Sequence, residues 1–158
     1  MDKETMLVTL AGMKEWFDRS TRVLEEADSA FAPAEGVFTA AQVVAHVAQT
    51  FDWFFNGAFA AGGFDMDFER MDKEVRSTTS LESARKWLER SYANCRIAVE
   101  AHTEAEWATP FPEGPIMGGQ PRFSIIGALM DHTAHHRGAL TVYSRLRGKV
   151  PAMPYMES

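Results

Sequence analysis

Residues 131–151 read DHTAHHRGALTVYSRLRGKVP and hold three of the chain's five histidines. His132 and His136 are four apart. On an α-helix this spacing puts two side chains on one face, one turn apart, with Cβ atoms about 5–6 Å from each other. Two imidazoles so placed can share one divalent metal. The helical zinc motif of metalloproteases uses the same geometry, although its catalytic Glu is absent here. The pair also lies on an apolar seam. Ile125, Leu129, His132, His136, Ala139, Tyr143 and Leu146 follow a 4-3-4-3-4-3 spacing, the heptad stripe of a helix that faces a bundle core. His135 and Arg137 fall off that stripe. Gly148, just past the last apolar residue, with Pro151 after it, reads as the helix stop.

Immediately upstream, residues 109–122, TPFPEGPIMGGQPR, carry four prolines and three glycines. No helix interior survives that density of breakers. Gly114 to Gly119 is expected to form the tip of a short β-hairpin. The last helix should then start near Phe123 or Ser124 and run to Arg147, about 36 Å at 1.5 Å per residue. The tail PAMPYMES is expected to pack across the bundle through Met153 and Tyr155.

Three more helices precede it. Met6, Leu10, Met13, Phe17, Ser20, Leu24 and Ala27 repeat at 4-3-4-3-4-3, which predicts a first helix ending near Asp28 or Ser29. Thr39 and Gln42 form a capping box that opens a second helix, with Val37 positioned as a staple on Val43. This helix is apolar around much of its girth, through Val43, Val44, Val47, Phe51, Phe54 and others, and Gly62-Gly63 ends it. Residues 64–78 read as a long polar connection, of the kind a bundle needs when consecutive helices are not an antiparallel hairpin. Thr79 and Glu82 read as a second capping box, opening a third helix with Leu81, Leu88, Tyr92, Cys95 and Val99 on one face. Four long helices in one chain imply an all-α four-helix bundle, and residues 1–158 read as a single domain.

Composition narrows the function classes. Hydrophobic residues make up 46% and charged residues 24%, ordinary for a globular chain, and the net charge of −6 argues against a dedicated nucleic-acid surface. No run approaches the roughly 18–20 apolar residues of a membrane span, and the first residues lack the apolar core of a signal peptide. Cys95 is the only cysteine, so no intramolecular disulfide can form, which fits a reducing cytoplasm; on a core face it reads as an inert buried thiol.

The metal reading needs a third ligand, because an open catalytic site takes three protein donors plus water. His46, in TAAQVVAHVAQTFDWFF, is the candidate. His102 reads instead as a cation near the end of the third helix, and His135 as a surface residue. Nitrogen donors suit a divalent transition metal, zinc, nickel, iron or manganese, with copper also fitted by imidazole, better than magnesium or calcium. Such a metal keeps open positions and lowers the pKa of bound water toward about 7, or binds a thiol as thiolate. Gln49 and Thr50, one turn from His46, together with Trp53 and Arg137, are the candidate substrate-binding residues. No catalytic base is assignable from spacing.

These residues resemble the DinB/YfiT-like superfamily of metal-binding four-helix bundles. The resemblance is carried by His46 after Thr39-Ala40-Ala41-Gln42, and by HTAHHRG followed by LTVYSRLRG and Val150-Pro151. It implies an up-down-down-up helix order and the ligand set His46, His132 and His136. It also implies a thiol-dependent S-transferase acting on small electrophiles, with bacillithiol, mycothiol or glutathione as the thiol and Arg137 or Arg122 holding its carboxylates. The alternatives are a metal-dependent hydrolase and a non-enzymatic, stress-associated metal- or ligand-binding protein. A homodimer is expected, both from the resemblance and because one bundle core uses only one apolar face of the second helix, leaving Phe51, Phe54, Phe55 and Phe59 otherwise exposed.

Overall fold

The computed structural model describes residues 1–156. Helix α1 spans Lys3–Thr21, capped by the Asp2 carboxylate, which accepts from Thr5 N at 2.7 Å. Its buried face is Met6, Leu10, Met13 and Phe17, as the spacing predicts. The helix ends earlier than the stripe does. Beyond Thr21 the chain tightens, with Leu24 N donating to Thr21 O, and Arg85 donates to the freed carbonyls of Thr21 and Leu24 at 2.8 and 3.4 Å. Leu24 stays in the core, and Glu26–Asp28 form a separate 3-10 turn.

Helix α2 spans Ala40–Phe59 behind the expected Thr39–Gln42 capping box. Val37 is exposed rather than stapled; Phe38 packs on the core in its place. The second apolar face of α2 is covered from within the chain. Phe51 and Phe55 are core residues, Phe54 packs on Trp53 and Phe64, and Phe59 packs on His102 and Trp107. The exposed phenylalanine patch invoked for a dimer therefore does not exist.

Residues 64–78 are not a loop throughout. Asp67 accepts from Arg70 N at 3.0 Å and opens helix α3, Phe68–Ser77, which buries Met71 and Val75. Side chains of α2 hold it in place. Gln49 Nε2 donates to Met71 O at 2.8 Å, Gln42 Nε2 to Arg76 O at 2.9 Å and Trp53 Nε1 to Asp65 O at 2.7 Å. Helix α4, Leu81–Ala101, is capped by Ser80 and not by Thr79; Glu82 instead pairs with Lys86, and its N–H goes to Glu26. A short helix α5, Glu104–Ala108, has its own Thr103–Glu106 capping box and buries Trp107 completely. The 109–122 segment folds back on itself with one bridge, Pro110 to Pro121, without becoming a stranded hairpin.

Helix α6 spans Ile125–Leu146, led in by a 3-10 turn at Arg122–Ser124. It stops at Gly148, whose φ of 73° only glycine adopts readily, while Lys149 N reaches back to Ser144 O and Gly148 N to Arg145 O. The buried residues of α6 are Ile125, Ile126, Leu129, Thr133, Leu140, Tyr143 and Ser144; Ile125, Leu129 and Tyr143 belong to the spacing read in the sequence, and the others rotate the buried face by less than one residue's turn from it. Leu146 is exposed, and His132 and His136 lie half-buried at the stripe's edge.

The four long helices α1, α2, α4 and α6 form an up-down-down-up bundle. Helix α1 packs on α6 and α4, and α2 packs on α4 and α6, so α1 and α2 face each other across the core. One end is tied by Asp28, 1% exposed as a side chain, which accepts from Arg147 Nε at 3.0 Å and Lys149 Nζ at 2.5 Å. Above it, Tyr143 Oη donates to Phe38 O at 3.0 Å. In the tail, Tyr155 packs edge-on against Trp16, whereas Met153 is mainly exposed; Glu157 and Ser158 lie outside the described residues. No helix among the described residues is long and apolar enough to cross a membrane.

Candidate metal centre

Helices α2 and α6 pack side by side and bring His46, His132 and His136 together. His132 Nε2 lies 3.1 Å from His46 Nε2 and 3.1 Å from His136 Nε2, and one donor nitrogen from each ring falls within 4.8 Å of the others. Hydrogen bonds alone cannot satisfy this cluster. A neutral imidazole carries one N–H and one lone pair. If His132 Nε2 accepts, it has one lone pair for two neighbours, and its proton sits on Nδ1, which is buried without a partner. If it donates, it serves only one neighbour. A cation shared by the three nitrogens removes the conflict. Nitrogens 3.1 Å apart also suit a common ion about 2.0–2.1 Å from each.

The electrostatics agree. Burial lowers the pKa of His132 to about 4 and of His136 to about 3, with the neighbouring imidazoles pushing the same way. Burial also lowers His46, opposed by Gln49 and by the Asp72 carboxylate. The trio is therefore neutral at pH 7, the state in which imidazole ligates metal.

His46 and His132 open onto a cavity of about 420 Å³. Its walls are mainly apolar, from Phe38, Trp53, Phe54, Phe68 and Met71, with Gln49, Thr50 and Asp72 as polar points. Thr50 Oγ1 donates to His46 O at 2.9 Å and lies 3.5 Å from His132 Nε2. Asp72 Oδ2 accepts from Arg76 Nε at 2.8 Å, and the Arg76 guanidinium sits over the Phe38 ring.

Of the substrate-binding candidates, Gln49, Thr50 and Trp53 line this cavity. Arg137 does not. Its guanidinium donates to Tyr155 Oη at 2.9 Å on the opposite side of α6, because its helix position faces α1 and the tail. Arg122 is likewise committed elsewhere, to Ala58 O at 2.7 Å. His135 is exposed, and His102 stacks on Phe59 at 3.5 Å, away from the trio. Cys95 is buried with its thiol pKa pushed up by desolvation, an unreactive state. Sequence reasoning missed Asp72, Phe68 and Met71, which α3 delivers. The signal was present: Asp67 as a cap, then Phe68, Met71 and Val75 at helical spacing.

Comparisons with known proteins bear on the fold and the family. No curated protein matches the chain. Among solved structures, YfiT from Bacillus subtilis, described as a probable metal-dependent hydrolase with an unusual four-helix bundle topology, superposes with a TM-score of 0.70 at 16% identity, over 93% of this chain and 88% of that one. The DinB superfamily profile matches residues 14–140. With that match spanning most of its length, the chain belongs to the DinB superfamily.

Proposed function

We propose that this protein is a metal-dependent hydrolase of small, largely apolar substrates. The observation that carries the reading is the single cavity that places two of the three imidazoles and the Asp72 carboxylate around a mainly apolar space. His46, His132 and His136 would hold a divalent transition metal. Bound there, it would supply Lewis acidity and lower the pKa of a coordinated water or thiol. The remaining roles fall to the chain. Burial keeps the imidazoles neutral and available. Asp72 is held by Arg76 through Oδ2, and its other oxygen makes no hydrogen bond among the described residues, so it can take a proton from the attacking group. Thr50 spends its proton on the His46 carbonyl, which leaves its oxygen as an acceptor toward the cavity. Phe38, Trp53, Phe54 and Phe68 take the apolar part of the substrate and exclude water.

A thiol-dependent S-transferase is the second reading, and one observation favours it. A polar cavity of about 340 Å³ shares Gln49, Trp53 and Met71 with the apolar one and adds Arg70, Arg90, Asp52 and Glu74. Those charges suit the carboxylate and amine groups of a low-molecular-weight thiol, whose sulfur would act in the apolar chamber. One assay separates the readings. Zinc-, nickel-, iron- and manganese-loaded protein is offered a panel of esters, amides and small electrophiles, with and without thiols. Thiol-independent turnover that falls about 10²–10⁴-fold in Asp72→Asn, at unchanged metal content, supports the hydrolase. Turnover only with thiol, unaffected by Asp72→Asn, supports the transferase. No turnover in any arm leaves a binding protein.

A further inference from the structure

Arg137, absent from the metal pocket, lines a different cavity. This space of about 310 Å³ lies between α1, α6 and residues 151–154 of the tail. Arg137, Thr141 and Arg145 share one wall, and Ser20 of α1 contributes another. No acidic residue lines it. Ser20 is fully buried, and its hydroxyl has no partner among the described residues. Buried hydroxyls are ordinarily paired, so an orphan in a cavity wall points to a missing acceptor or donor.

The two arginines are similarly unspent. Arg137 Nη2 donates to Tyr155 Oη, and Arg145 bends back so that Nη1 donates to Thr141 O at 3.1 Å. Each guanidinium carries five N–H groups, so most of their donors remain. No carboxylate pairs with either among the described residues, whereas Arg19, Arg70, Arg76 and Arg147 each hold one. Gly138 and Ala134 keep the floor open; nothing would lie within 4 Å of a Cβ at Gly138. The roof is fixed by Arg19 Nη1 donating to Pro154 O at 2.8 Å and by Tyr155 against Trp16.

We propose that this cavity is a binding site for a small phosphate-bearing ligand, distinct from the metal centre. A flat carboxylate is satisfied by one guanidinium fork, whereas donors arriving from two guanidinium groups and a hydroxyl match the three-dimensional acceptor set of a phosphate. The site is tested by calorimetric titration of the full chain at low salt with inorganic phosphate, glycerol phosphate and, as the flat-anion control, acetate. Both phosphates should saturate, with acetate at least about tenfold weaker. Arg145→Gln should weaken phosphate binding at least about tenfold, and Ser20→Ala should weaken it several-fold, with thermal unfolding still cooperative and metal content unchanged in both. Arg137→Gln also loosens the tail, so Arg145→Gln is the deciding variant. The assignment is overturned if wild-type protein shows no saturable phosphate binding, if acetate binds as tightly, or if Arg145→Gln binds as the wild type does.

Discussion

Stepwise acidification, with and without a chelator, distinguishes three buried imidazoles from three ordinary ones. Metal binding requires each ligand to lose its proton, so ordinary imidazoles would release metal as pH falls from about 6 to 5. Burial moves that window down. At pH 5 a group with a pKa near 6.5 is about 97% protonated, whereas His132, titrating at about 4, is about 10% protonated and His136, at about 3, about 1%. An ordinary pair would lose about a thousandfold in affinity at pH 5; this pair loses almost nothing. The protein should therefore keep its metal through desalting at pH 5 and release it only near pH 4. Without metal the same burial becomes acid sensitivity. The folded pKa values lie below the unfolded one, so the unfolded chain takes up the extra protons. Stability is complete above pH 6.5 and is lost as pH falls toward 4, by up to about 1.4 kcal/mol per unit for each imidazole. Between pH 6.5 and 5 the two rings together cost up to about 4 kcal/mol, less where solvent reaches these half-buried groups. For a chain of this size that is a fall in Tm of up to about 8–16 °C in chelated protein. Elemental analysis after desalting and melting by circular dichroism read the two arms. Half-release of metal at pH 6 or above, or a chelated Tm that does not change between pH 7 and 5, would refute the reasoning.

Asp28→Asn removes the charge that Arg147 and Lys149 share. With the Asp28 pKa held at about 2, thermal unfolding at pH 7 should show a loss of about 2 kcal/mol, or about 4–8 °C in Tm, and the gap to wild type should close as pH falls from about 4 to 2. Gln49→Leu removes the side-chain donor that ties the Met71 carbonyl to α2; an expected loss of about 0.5–1.5 kcal/mol should come with faster proteolysis within residues 64–78, and unchanged cleavage there would argue against the latch. Gly57→Ala drives a methyl group into the Phe64 ring and should cost about 1–3 kcal/mol by denaturant titration, while Gly127→Ala, which meets nothing, should not destabilise.

Much of this molecule is written in local patterns. The Thr39–Gln42 box, the Gly148 stop and the apolar spacing of α1 from Met6 to Ser20 are fixed by neighbours in sequence and are where the pattern puts them, although α1 itself ends at Thr21. The meeting of His46 with the α6 pair follows from two helices packing, and the i, i+4 spacing anticipates half of it. What escaped depends on contacts across the chain. Helix α3 has a charge-rich sequence whose apolar pattern is short, and it is held by Gln42, Gln49 and Trp53 of another helix. Overlooking it concealed Asp72. The direction of Arg137 was equally undecidable, because one residue's rotation about α6 separates the α2 side from the α1 side. The same rotation leaves the two histidines at the seam's edge, where a ligand can reach them.

The ties between the start of α2 and the end of α6 make the site a jaw with a preset gape. Asp28 grips Arg147 and Lys149, Tyr143 grips the Phe38 carbonyl, and Ala40 N donates to Phe31 O at 2.8 Å; none of these involves a ligand. The hinge is clamped before any ion arrives, so an ion inherits the spacing of the three nitrogens instead of drawing them in. Stiffness of this kind discriminates by size and bond angle rather than by raw affinity, since imidazole donors by themselves rank copper above zinc and nickel. Loosening the hinge should therefore blur which metal is chosen before it abolishes binding.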